Sequence, residues 1–282
     1  MNKQLKNIIS ELKYDNDKIF SSSFENLDQS EEINLREKNA KKRQSMNFHD
    51  FIPKHHSIPV MRNEVRRALS MVEPNSIILD VGGGIGWHWY QLGTFRPDIS
   101  VIILDFSLGN LARAKNLHKE IINSQIFLVH GDATQLPFPE NSFDLYWSVQ
   151  ALQHIPNFNK AVHEAKRVLK PEGVFMNYSV NRVGLFEIVY KIFKKKYHIK
   201  GKVPGFIYLE RGSNNQRKKI ERIFKEKVKS RFTEVLYHPQ LNLWTGNEGN
   251  YIGVIDASLG SSLPILKFIA NQRSFEVKKR LN

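Results

Sequence analysis

From about residue 60 onward, apolar positions along the chain fall into two alternating rhythms. Val60/Met61, Glu64/Val65, Ala68/Leu69 and Val72 recur at helical spacing, and Glu73-Pro74-Asn75 closes that run. Ser76 to Val81 is then a short β-branched apolar run that stops at glycines, which predicts a buried strand. The same alternation continues downstream. Strands are predicted at Ser100 to Phe106, Gln125 to His130, Ser142 to Val149 and Val174 to Val180, with helices at Trp87 to Phe95, Leu108 to Asn123 and Asn159 to Leu169. Strands without polar alternation, separated by helices, imply a parallel sheet covered on both faces. The fold class expected is therefore α/β: a doubly wound, mostly parallel, Rossmann-like sheet with an N-terminal arm and a basic helical insertion.

The flanks are less regular. Residues 1–46 are polar and charged with a thin apolar stripe, so they read as a mobile or loosely packed arm. Residues 47–75 read as a loop and helix covering a pocket, and 76–180 as the α/β core. Residues 181–231 carry two basic amphipathic helices, at Leu185 to Lys196 and Asn214 to Ser230. Residues 232–282 are expected to close the sheet with strands at Phe232 to Pro239 and Tyr251 to Ala257, followed by a short helix at Leu263 to Ala270.

Charge sharpens this division. Forty-two Lys+Arg against 28 Asp+Glu give a net charge of +14, yet Asn181 to Val235 alone holds sixteen basic and five acidic residues. The basicity therefore belongs to one segment and not to the whole fold. With no cysteine, disulfides, thiolate metal sites and cysteine nucleophiles are excluded. No apolar run approaches the ~20 residues that span a bilayer. No secretory pattern follows Met1, so a cytoplasmic location is expected.

The strongest chemical signal is the run Ile78-Leu79-Asp80-Val81-Gly82-Gly83-Gly84-Ile85-Gly86, a strand feeding a glycine turn. Glycine permits positive φ and lets a ligand approach the backbone with no Cβ in the way. Asp105 ends the next strand, where a carboxylate can accept both hydroxyls of a ribose. Gly131-Asp132-Ala133 follows the third strand, with Leu136-Pro137-Phe138 behind it. Three successive strands thus place a carboxylate or glycine at the carboxyl edge, where open α/β sheets bind ligands. A nicotinamide-binding turn would need G-x-G-x-x-G, but the third position after Gly84 is Trp87.

These motifs, together with Ser142-Phe143-Asp144, Ser148 to Ile155 and Lys170-Pro171-Glu172-Gly173, resemble the class I S-adenosylmethionine-dependent methyltransferases. The likeness is greatest to the small-molecule branch with a D-A-x-x-L-P-F loop, and it covers roughly Ile77 to Val180. It implies S-adenosylmethionine as cofactor, its methionine part held by Asp80 and the Gly82, Gly84, Gly86 turn. Asp105 would take the ribose, Phe106 would lie against the adenine, and Asp132 with the Ala133 N–H would read the adenine edge. Ser148 would lie beside the methionine tail. His154, after the fourth strand, is the candidate general base; its plain alternative is a loop-ordering role.

His55 and His56 precede the core and are candidates for touching acceptor or cofactor, with a surface loop as the alternative. No nearby carboxylate completes a metal set, so no metal is expected. The reaction expected is methyl transfer to an oxygen, nitrogen or carbon of a small or lipid-linked metabolite. Nucleic acid is disfavoured as a partner, peripheral membrane contact stays open, and the oligomeric state is unknown. The competing reading is a non-catalytic basic protein whose degenerate cofactor fold binds RNA or an anionic membrane surface.

Overall fold

The computed structural model describes residues 3–15, 18–22, 30–48, 55–181, 184–194, 202–203, 207–208, 214–237 and 249–280. Its centre is strand β3 (Ile77–Val81), which pairs in parallel with β4 (Ser100–Asp105) on one side and β6 (Phe143–Val149) on the other. Strand β5 (Ile126–His130) extends the sheet beyond β4, and β7 (Leu169–Val180) extends it beyond β6. The chain thus reverses its direction of travel across the sheet at β3, the switch point where open α/β sheets form a crevice.

Side chains on successive strand positions point to opposite faces, and each face buries its own layer. Ile77, Leu79 and Val81 enter one apolar cluster with α1 (Lys3–Ile9), α6 (Phe158–Val168) and α8 (Asn214–Phe224). Ile78 enters the other, with α3 (Ser57–Leu69) and α5 (Leu108–Leu117). Both faces of every central strand are therefore dry, which is why these strands carry no polar alternation.

The N-terminal segment is not a loose arm. Helix α1 buries Leu5, Ile8 and Ile9 in the core. Strand β2 (Ile19–Ser21) adds to the sheet parallel to β5, with β1 (Lys13–Tyr14) antiparallel outside it. Helix α2 (Ser30–Lys42) packs against α5.

Four further expectations are corrected. Trp87 to Phe95 is not one helix but a 3₁₀ turn (Trp87–Trp89) and the short α4 (Leu92–Phe95), since Gly86 enters at φ +66° and leaves no regular start. Lys170 to Gly173, whose Pro and Gly predict a turn ahead of the strand at Val174, lies within β7 as an irregular stretch: Glu172 at φ +61° donates its N–H to Lys279 O. Tyr251 to Ala257 belongs to helix α9 (Gly249–Leu259), because short apolar runs do not distinguish helix from strand and Gly253 lets this one seat closely on α3.

Outside the main sheet, β8 (Lys202–Val203) and β9 (Ile207–Tyr208) pair antiparallel. Finally, the strands that close the main sheet are β10 (Lys229–Thr233) and β11 (Gln272–Lys278), antiparallel to each other, with β11 antiparallel to β7. Strand β11 leaves no apolar run in the sequence because Arg273, Ser274 and Glu276 interrupt its buried Phe275 and Val277. The basic helices are real, as α7 (Gly184–Ile192) and α8, the second shorter than expected; Lys195 and Lys196 of the first lie outside the described residues.

Candidate active site at the carboxyl edge of the sheet

The glycine turn leaves β3 and folds back over β4, with the Gly82 N–H donating to Leu104 O at 2.7 Å. Gly82 adopts φ +67°, and a Cβ there would lie 2.2 Å from Ala151 Cβ, so both conformation and packing require glycine. Gly84, at φ +59°, is different: a Cβ there meets nothing within 4 Å. Backbone is thus presented to open space at the strand tip.

Beneath the turn lies Asp80, fully buried, its Oδ2 accepting from Trp89 Nε1 at 2.7 Å. Its Oδ1 is buried with no hydrogen-bond partner. Burial pushes this carboxyl up to about 7; the Trp89 bond opposes the rise and nearby Asp105 adds to it. A buried carboxylate oxygen left unsatisfied is costly unless something supplies a donor.

Asp105 ends β4 and accepts from the Gly84 N–H at 2.9 Å and the Ser107 N–H at 2.8 Å. It locks the glycine turn to the neighbouring strand while retaining lone pairs for further donors. Burial raises its pKa, and the two backbone bonds counter that rise. Phe106 follows, half-buried, with its carbonyl accepting from His130 Nε2 at 3.1 Å. Asp132 takes the Thr134 N–H and hydroxyl, each at 2.8 Å, which fixes the turn holding the buried Ala133. Ser148 is fully buried and donates to Val81 O at 2.9 Å; what it does is tie β6 to the tip of β3.

His154 sits in the 3₁₀ turn Leu152–His154 after β6. Its Nδ1 is 3.5 Å from Glu32 Oε1, and its ring nitrogens lie 3.4 and 3.3 Å from Arg36 Nη2. Arg36 in turn donates to Glu32 at 2.8 Å and acts on Asp105 through space. Burial raises the Glu32 pKa against the pull of Arg36. The next residue, Glu37, accepts from the Gly109 N–H at 3.1 Å. Helix α2 therefore runs from His154 to the start of α5, across the strand tips. Sequence reasoning missed Glu32, Arg36 and Glu37. The available signal was their spacing with Ala40, which places all four on one side of a helix.

The paired histidines are in a different place. His56 is buried, 2.7 Å from Asp256 Oδ2 and stacked on Tyr237 at 4.8 Å. Ser57 donates to Glu234 at 2.5 Å, and Asn271 donates to the other Glu234 oxygen at 2.8 Å. Carboxylates do gather here, against expectation, but they tie α3 to α9 and the end of β10. Among the described residues no group of three or more His, Cys, Asp or Glu could hold a metal ion. Nor does any described helix have the length and apolarity to cross a membrane.

Residues 79–177 match the family model described as a methyltransferase domain. The chain carries a class I S-adenosylmethionine-dependent methyltransferase domain. A malonyl-[acyl-carrier protein] O-methyltransferase of Buchnera aphidicola is 41% identical over 124 residues, 42% of this chain and 46% of that protein. The ubiquinone/menaquinone biosynthesis C-methyltransferase UbiE of Rickettsia typhi is 35% identical over 127 residues, 42% of this chain and 51% of that protein. This chain thus aligns with about half the length of these relatives.

Among solved structures, a methyltransferase from Thermotoga maritima superposes with a TM-score of 0.54 at 17% identity, covering 88% of this chain and 99% of its own. The [4+2]-cyclase SpnF has the same TM-score at 15% identity, covering 78% of this chain and 81% of its own. At such identities the likeness concerns the fold, and the methyltransferase domain has to be judged by its site.

Proposed function

We propose that this protein transfers the methyl group of S-adenosylmethionine to an oxygen, nitrogen or carbon of a small or lipid-linked metabolite. The observation that carries this reading is the row of Asp80, Asp105 and Asp132 at three adjacent strand tips beside an intact glycine turn. The residues fit the cofactor. The unpartnered Asp80 Oδ1 suits a cationic amino-acid head, and Gly84 offers bare backbone. Asp105 retains acceptor capacity for sugar hydroxyls, and in this reading Asp132 with the Ala133 N–H takes the adenine edge. When bound, the cofactor supplies an electrophilic methyl on a sulfonium.

The chain's own task is chiefly to position and to exclude water. Helix α2 covers the strand tips and contributes Glu32 and Arg36 beside His154. In this reading His154 takes the acceptor's proton where the acceptor is a hydroxyl, with Glu32 orienting the ring. The relatives named as acting on an acyl-carrier-bound malonyl group and on quinones support a small or carrier-linked acceptor. They do not agree on which atom is methylated.

Titration with S-adenosylhomocysteine, combined with transfer of labelled methyl into metabolite extracts, tests this. Micromolar binding is expected, weakened at least tenfold by Asp105→Ala. In His154→Ala, binding is expected to persist while transfer falls about 100-fold or more. Absence of binding heat and of any thermal shift with the unaltered protein would refute the reading.

A further inference from the structure

Helices α2 and α5 are pinned together at Gly109. A Cβ there would lie 2.6 Å from Glu37 Oε2 and 2.8 Å from Ala40 Cβ, and the Gly109 N–H donates to Glu37. One helical turn further along α5 stands Arg113, and one turn beyond Ala40 the chain reaches Arg43 and Gln44. The Arg43 N–H still donates to Asn39 O at 3.2 Å, so the helical path carries Arg43 just past the last residue of α2. A backbone contact that neither side chain controls thus brings two guanidinium groups near each other.

Arg113 is half-buried, yet among the described residues it makes no hydrogen bond or ion pair. Arg67, Arg96, Arg167 and Arg231 are also half-buried, and each of them holds a carboxylate. Burial, and then the like charge of Arg43, lower the Arg113 pKa. A half-buried cation that faces another cation and no counter-charge is unfavourable as it stands. Arg113 lines a cleft of about 220 Å³ together with Gln44, Asn47, Phe48, Asn116 and Ile85 of the glycine turn. Of the described residues lining it, Arg113 alone is charged. The amides offer N–H donors, and the wall holds no carboxylate to compete for the guanidinium. Phe48, buried with its ring 6.4 Å from Trp87 and 5.7 Å from Tyr90, fixes the 44–48 segment beside the glycine turn.

We infer that this cleft binds a phosphate group, with Arg113 and Arg43 as its counter-ions. A phosphate monoester carries about two negative charges at neutral pH and three strong acceptor oxygens, which two guanidinium groups and a set of amides match in charge and in donors. A carboxylate would leave one of the two cations uncompensated. Asp80, Asp105 and Asp132 do not line this cleft, so it is distinct from the row of acids at the strand tips and adjoins it only through Ile85. The inference goes beyond methyl transfer and stands on observations independent of it.

Thermal melts with inorganic phosphate or glycerol phosphate, each added to about 10 mM, test it; a rise in Tm of about 2 °C or more is expected. In Arg113→Gln that rise is expected to vanish, and in Arg43→Gln binding followed by calorimetry is expected to weaken at least fivefold. Without added anion, Arg113→Gln is expected to melt no lower than the unaltered protein, because it removes a cation that nothing compensates. A merely structural arginine would lower the melt, which would count against the site. Tighter binding of glycerol phosphate assigns the site to an organic phosphate, and equal binding assigns it to the free ion. No rise in the unaltered protein would overturn the inference, as would an equal rise in Arg113→Gln, the mark of a general salt effect. S-adenosylhomocysteine titrated with and without phosphate separates the two sites: independent binding supports the inference, and mutual displacement would overturn it. Phosphate binding by a protein that takes no S-adenosylhomocysteine would refute methyl transfer and leave this site standing.

Discussion

Asp80 concentrates the residue-scale physics of this site. Its carboxyl, ordinarily near 3.8, is pushed up to about 7 by complete burial, so holding it ionised costs folding free energy at neutral pH. A carboxyl raised in the folded state adds stability fully below the unfolded value and loses it as pH climbs through the folded one. Asp80→Asn keeps an acceptor for Trp89 without the charge. Its Tm in the absence of cofactor is expected to exceed that of the unaltered protein by several degrees at pH 8, corresponding to at most about 4 kcal/mol, and to match it at pH 4. Calorimetric melts at the two pH values check this. A cationic head on the ionised Asp80 reverses the preference, so S-adenosylhomocysteine is expected to bind more tightly from pH 6 to pH 8 with release of a proton. Binding heats measured in buffers of different ionisation enthalpy would reveal that proton. The three acids and the glycines were legible from spacing, because each closes a strand whose boundaries the apolar runs define. Glu32 and Arg36 were not, since they reach His154 across more than a hundred residues of intervening chain.

At the scale of elements, helix α3 shows how polar side chains fasten a layer to the sheet. Glu64 is almost fully buried, yet it accepts from the Tyr178 hydroxyl at 2.9 Å and from Arg231 Nε at 2.8 Å. Arg67 continues the network to Glu276 on β11 at 2.7 Å. Removing Glu64 takes from Arg231 its carboxylate partner, while Arg67 keeps Glu276 and the Tyr178 hydroxyl, so Glu64→Ala is expected to cost about 1–3 kcal/mol in urea unfolding. The core strands were readable as short continuous apolar runs closed by turn residues, and α6 because a period of 3.6 repeats over its whole length. Strand β11 and helix α9 were not: in the first, charged residues satisfied only by partners from other elements mask the pattern. In the second, the outward stripe is itself apolar, so the usual contrast between faces is missing.

Taken as a whole, the molecule closes its cleft edge with its own N-terminal segment. Helix α2 is held by the Glu32–Arg36–His154 group in its first half and by Glu37 at its middle, with little apolar anchorage: only Glu32 and Ala40 are buried along its length. Such an element belongs to the low-stability end of a native structure. Hydrogen exchange at residues 30–42 is expected to be fast without ligand and to slow at least tenfold with S-adenosylhomocysteine, while β3 and β4 remain protected in both states. Equal exchange with and without a bound ligand would separate α2 from the site.

The sequence alone determined the parallel core from Ser76 to Val180 and the acids at its strand tips. Those features arise from local rules: burial on both faces selects continuous β-branched runs, and a strand must end where glycine or a turn carboxylate stands. Tertiary structure alone decided which distant residues complete the site and where the chain's ends go. Helix α2 over the cleft, β11 beside β7, and His56 on Asp256 depend on surfaces that exist only once the core has formed. Their defining partners are donors, acceptors and close contacts from remote segments, which leave no periodic trace in the chain.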